Sequence, residues 1–165
     1  MANYCYNTLE ITGNPDDIKK LQDCIRTNKP DECDEYDLGK IIPLKSDSAG
    51  EAYEKWGTKW FADIDFDNQG GSAMLSFDTA WSPSLPVTLE ISRRFNLRAA
   101  HYYEEPGFDF EGDFVAENGI VIRDEQRDYR PVCAGCETKH DRNEMVFDEE
   151  ESEHYCRKCS KKKLN

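Results

Sequence analysis

Four cysteines near the C-terminus constrain this chain more than any other feature. Cys133 and Cys136 have two residues between them, Cys156 and Cys159 likewise, and nineteen residues separate the pairs. Two thiolates at that spacing turn onto one ion, and two such knuckles close a tetrahedral shell suited to zinc. Met145-Val146-Phe147 and His154-Tyr155 read as arms of a small hairpin that brings the knuckles together. Iron–sulfur ligation, a redox dithiol and four unrelated buried thiols are the competing readings. A segment this poor in apolar side chains needs a staple to fold, which favours zinc. A full cysteine shell leaves no open position for water or substrate. The expectation is therefore one structural Zn2+ in a zinc-ribbon or treble-clef-like module. His140 and His154 are the other ligand types nearby, read as exposed hairpin residues.

Charge divides the chain at about the same place. The 165 residues carry 34 acids and 21 bases, a net charge of −13. Residues 129–165 hold 8 of each, so residues 1–128 carry the whole excess. Two modules follow: an acidic domain over 1–128 and a four-cysteine zinc-binding module over 129–165, with Arg123 to Asp128 as a polar joint. Phosphate repels so acidic a domain, which disfavours nucleic acid and anionic membranes and favours a basic protein surface. Hydrophobic residues make up 38% and mean hydropathy is −0.84, so the core is modest. Aromatic residues at 12% nonetheless argue against disorder. No signal peptide and no spanning apolar run is found, so the expected compartment is the cytosol, where seven cysteines point to metal or buried thiols.

The acidic domain alternates strands and helices. Cys5, Asn7, Leu9 and Ile11 take one side of a strand, and Tyr4, Tyr6, Thr8 and Glu10 the other. Asn14-Pro15-Asp16-Asp17 opens a helix predicted over 15–27, with Ile18, Leu21 and Ile25 at helical spacing. Lys29 to Gly50 reads as irregular apart from Ile41-Ile42-Pro43-Leu44. Strands at 60–67 and 72–79 form a hairpin about Gly70-Gly71. A helix starts at Ser82 or Ser84 and runs to Phe95. Strands follow at 97–103, 108–116 and 120–122. The order β-α-β-β-α-β plus a trailing hairpin predicts an α+β protein with a ferredoxin-like antiparallel sheet, two helices on one face and the other face partly open.

Three stretches carry a resemblance: Trp56-Gly57-Thr58-Lys59-Trp60, Phe77-Asp78-Thr79-Ala80-Trp81-Ser82-Pro83 and Tyr102-Tyr103-Glu104-Glu105-Pro106-Gly107. In that order they resemble signatures of a phage and plasmid family containing the YubB ferredoxin-like domain, and the opening Met1 to Cys5 fits it too. The resemblance covers roughly residues 1–118. It implies a mobile-element origin and a ferredoxin-like core, and it transfers no catalytic residue.

Asp63, Asp65 and Asp67 alternate with Ile64 and Phe66, and Asp109, Glu111 and Asp113 alternate with Phe110 and Phe114. An EF-hand loop is excluded, because Asn68 and Met74 stand where it needs Gly and Glu. Both rows read as strand carboxylates on the open face, beside Tyr4 and Tyr6. Three readings compete there: a solvated face, an acidic surface that docks a basic partner, and a divalent-cation site. Trp56, Trp60 and Trp81 read as loop-to-core packing with a recognition groove as the alternative, and His101 as structural. Cys5, Cys24 and Cys33 lack partner spacing and read as free thiols. Arg157, Lys158, Lys161, Lys162 and Lys163 offer phosphate contacts, opposed by Asp148 to Glu151 on the same module. No phosphate loop or nucleophile arrangement is present, so the expectation is a non-enzymatic binding protein. Metal-dependent phosphoryl or nuclease chemistry at the acidic face is the least poor enzymatic option. The expected role is contact with, and inhibition or modulation of, a host nucleic-acid-binding defence or replication enzyme. The alternative is a nucleic-acid-binding or regulatory zinc protein.

Overall fold

Strict alternation in the first strand, β1 (Tyr4–Thr12), organises the rest of the chain. Cys5, Asn7, Leu9 and Ile11 are buried, while Tyr4, Tyr6, Thr8 and Glu10 are exposed on the opposite face. The structure is a computed structural model describing residues 3–27 and 35–163. Cys5 is buried and Cys24 half-buried, and Cys33 lies outside the described residues.

Helix α1 (Pro15–Ile25) starts at Asn14, whose side chain accepts from the Asp16 amide at 2.9 Å, and buries Ile18, Leu21 and Ile25. A short helix, α2 (Ala49–Trp56), starts at the end of the segment expected to be irregular and runs through residues for which no element was expected. The hairpin β2 (Phe61–Asn68) and β3 (Ser72–Ala80) leads to helix α3 (Leu85–Phe95), then β4 (Arg98–Glu105), β5 (Phe110–Glu117) and β6 (Ile120–Asp128). The sheet order is β2-β3-β1-β4-β5-β6, with every neighbouring pair antiparallel. The first four strands with α1 and α3 make the expected split β-α-β arrangement, and β5 and β6 extend it. The segment expected as a polar joint, Arg123 to Asp128, is the second half of β6.

Ile18, Leu21, Val87 and Ile91 from the helices meet Leu9, Ile11, Leu75 and Phe77 from the sheet in one core. Each such side chain contributes about 1.5–3 kcal/mol when buried. Polar residues inside that core are partnered: His101 Nδ1 lies 2.8 Å from the Thr88 hydroxyl and Nε2 3.0 Å from Asn7 Oδ1. A second cluster of Cys5, Tyr103, Phe114 and Ala116 covers the β4–β5 end. Gly112 is required there, because a Cβ at that position would stand 2.2 Å from the Tyr103 hydroxyl and 2.6 Å from the Glu125 carbonyl oxygen. The tryptophans divide. Trp56 packs against the core and donates to the Ile42 carbonyl at 2.7 Å, whereas Trp60 and Trp81 are half-buried against Tyr4 and Phe108.

The C-terminal module is a separate hairpin, β7 (Met145–Asp148) with β8 (Glu153–Cys156), followed by α4 (Arg157–Lys163). Among the described residues no helix is long and apolar enough to cross a membrane.

Candidate metal centre and the open face of the sheet

Cys133 and Cys136 sit on a tight knuckle closed by Glu137 N–H to Cys133 C=O at 2.7 Å and Cys133 N–H to Thr138 C=O at 2.9 Å. Cys156 ends β8 and Cys159 lies in the first turn of α4. Hairpin pairing of Met145 with Cys156 therefore carries the second pair across to the first. All four sulfurs lie within 4.8 Å of one another, and none is in a disulfide. A tetrahedron with metal–sulfur arms of ~2.3 Å has edges of about 3.8 Å, so modest tightening closes the shell. The surroundings suit thiolates. The Cys156 amide points at Cys133 Sγ from 3.2 Å. Burial works to raise the Cys133 thiol, but the backbone N–H groups of Cys156, Gly135 and Cys136 hold it below its ordinary value. The Thr138 hydroxyl and then the His140 ring bring Cys136 down to about 5. Cys159 is pushed up to about 12 by its hydrogen bond with Cys156 and by burial. The donor set fits a soft, tetrahedral cation. His140 Nε2 stands 3.6 Å from Cys136 Sγ and 2.9 Å from the Thr138 hydroxyl, outside the sulfur cluster but touching it. The exposed His154 packs on Phe147.

The sequence reading missed what ties this module to the sheet. Lys139, three residues beyond Cys136, donates to Glu111 at 2.9 Å, to Glu104 at 2.8 Å and to the Tyr102 hydroxyl, with its ammonium 4.9 Å from the Tyr102 ring centre. Arg130 reaches Glu111 Oε1 at 2.7 Å and Arg127 reaches it at 3.0 Å. The Glu111 side chain is fully buried beneath these three cations. Burial opposes its ionisation, but Lys139 and Arg130 hold the carboxyl down at about 2.

Six carboxylates were expected on the open face, and the structure separates them into two groups. Glu111 does not belong to an open face, since it is enclosed. Asp113 pairs with Arg127 at 2.6 Å, and Asp109, just before β5, pairs with Arg142 at 2.8 Å. The β5 row is thus neutralised from within. Asp63, Asp65 and Asp67 are exposed and form no ion pair among the described residues. Asp65 faces Ser76, and Asp67 faces Met74, so both stand on the open side. The pairing slips between Ala62 and Asp65, where Asp63 takes a left-handed φ of 49°. Asp78, which the sequence reading passed over, lies beside Tyr6, and its carboxyl is raised by partial burial and by the charge of Asp63. Arg157, Lys158, Lys161 and Lys162 are exposed on α4, and Arg157 donates to the Asn143 carbonyl at 2.9 Å. Lys163 closes that helix.

Residues 55–155 match the family described as a ferredoxin-like domain in Api92-like protein. The match runs from the end of α2 through most of β8, taking in Cys133 and Cys136 and stopping before Cys156. The crystal structure of a protein api92 from Yersinia pseudotuberculosis is similar, with a TM-score of 0.63 at 11% identity over 79% of this chain and 100% of that one. At that identity the likeness concerns the fold. No curated protein matches the chain. With over half its length matched, the chain belongs to the family of ferredoxin-like domains in Api92-like proteins.

Proposed function

We propose that this is a non-enzymatic binding protein of phage or plasmid origin, acting in the host cytosol by protein–protein contact. Its acidic domain, residues 1–128, docks a basic surface of a host nucleic-acid-binding enzyme of defence or replication and inhibits or modulates it. Residues 129–165 form a zinc module in which Cys133, Cys136, Cys156 and Cys159 hold one structural Zn2+. The resemblance of the three stretches above to signatures of the YubB-containing family supports the origin, and the clustered sulfurs support the metal. When bound, the ion supplies folding energy to a module with little core of its own.

One observation carries the docking reading. The protein neutralises one half of its acidic sheet with its own Arg127, Arg130, Arg142 and Lys139 and leaves Asp63, Asp65 and Asp67 on the other half exposed and without ion pairs among the described residues. Carboxylates arrayed in this way steer a cationic partner even though each exposed pair contributes only about 0–1 kcal/mol. The test is the Asp63→Asn, Asp65→Asn, Asp67→Asn triple variant, with association to a captured host partner followed across a salt series. The on-rate falls most at low salt, where screening is weakest. Unchanged association at every salt concentration contradicts the reading. Nucleic-acid contact through α4 is the second reading, favoured by its exposed Arg157, Lys158, Lys161 and Lys162. It predicts that DNA or RNA affinity rises in the triple variant.

A further inference from the structure

The sheet face already holds one cation of its own. Lys139 sets its ammonium on the carboxylates of Glu104 and Glu111 and on the Tyr102 hydroxyl, 5.3 Å from the centre of the Tyr129 ring. This is an aromatic platform with acids at its margin, the arrangement that attracts a partly desolvated cation. One strand away the same constellation recurs. Tyr6 on β1 is 48% exposed and directly opposite Asp78 on β3. Tyr4, 45% exposed, lies two residues along the same face and is braced edge-on by Trp60 at 5.3 Å. Among the described residues no cation reaches the Tyr6 ring, and Asp78 forms no ion pair.

We infer that Tyr6 and Asp78 form the anchor of the docking surface, taking an arginine side chain of a basic protein partner with its guanidinium stacked on the Tyr6 ring and bonded to the Asp78 carboxylate. A guanidinium suits the place better than an ammonium, because it is planar, weakly hydrated and able to stack through its face while donating from its edge. Local electrostatics point the same way. The left-handed turn at Asp63 brings a second carboxylate near Asp78, and their mutual repulsion is relieved by an arriving cation. Two exposed tyrosines on the central strand also suit stacked bases, but the unpaired carboxylates beside them repel phosphate.

The inference rests on the docking reading above, and the test separates the two. Isotope-labelled full-length protein with zinc bound is titrated with blocked hexa-arginine, blocked hexalysine and a single-stranded RNA hexamer, and amide shifts are followed by NMR. Hexa-arginine shifts Tyr6 and Asp78 saturably and binds more tightly than hexalysine. Tyr6→Leu weakens it about tenfold, and Tyr6→Phe, which keeps the ring, does not. Tyr6 is half exposed, so both variants fold. If Tyr6→Leu binds like the wild type while the Asp63, Asp65, Asp67 triple variant binds weakly, the anchor is wrong and charge steering stands. If neither variant changes binding, both fall. Equal affinity for hexalysine, or shifts at Tyr4 and Tyr6 with RNA instead, also overturns the anchor.

Discussion

Full burial pushes the imidazole of His101 down to about 3, between the Thr88 hydroxyl and Asn7. The unfolded chain takes up that proton near pH 6.5, so the stability His101 provides is present above 6.5 and declines as pH falls. From pH 6.5 to 5 the expected loss is about 2 kcal/mol, read by denaturation with tryptophan fluorescence and zinc in excess. All three tryptophans belong to the acidic domain, so the signal reports the sheet. His101→Gln flattens this slope, whereas an unchanged slope in that variant contradicts the assignment. Below about pH 4.5 Glu111 adds a decline of the same sign, since its folded carboxyl lies at about 2. Gly135 makes the second residue-scale prediction. A Cβ there would stand 2.8 Å from Cys159 Cβ and 3.1 Å from its sulfur, so Gly135→Ala weakens metal retention in a chelator competition without altering the sheet.

Elements with one buried face were legible in the sequence, and those without one were not. The alternation of β1 and the Ile18, Leu21, Ile25 spacing of α1 gave both elements nearly to the residue. Helix α2 escaped because it buries only Ala52, too little for a period to show. Its local signal was nonetheless present: Ser48 accepts from the Glu51 amide at 3.1 Å and Gly57 ends the helix at a left-handed φ of 75°. Of strand β6 only Ile120 to Ile122 was expected, because the rest belongs to an edge strand with nearly every residue exposed and held by pairing to β5. Cysteine spacing located the candidate metal site, but spacing says nothing of Lys139, whose role depends on where the knuckle lands on the sheet. At this scale the prediction concerns the module. Native mass spectrometry finds one zinc per chain, and Cys133→Ser removes it while Cys24→Ser does not. A folded C-terminal module without metal contradicts this.

Across the whole molecule, Glu111 joins the two parts. Glu111→Gln leaves the partly exposed Arg127, Arg130 and Lys139 gathered around a neutral group and costs about 1.5–3 kcal/mol in stability, the range for hydrogen bonds to a charged group. Lys139→Met costs less, because two arginines remain. Denaturant midpoints of the two variants check that order, and a neutral effect of Glu111→Gln contradicts the linkage. The linkage also explains why the acidic face is divided. The C-terminal module brings Lys139, Arg130 and Arg142 onto the β4–β5 half and leaves Asp63, Asp65 and Asp67 of the β2–β3 half without ion pairs among the described residues. Amide hydrogen exchange of the intact chain, before and after chelation, tests that account most directly. It predicts that residues 129–163 lose protection, that exchange rises in β4 and β5 around Glu104 and Glu111, and that β1 to β3 stay as they were. Retained protection over 129–163, or a loss spread evenly across the sheet, contradicts it.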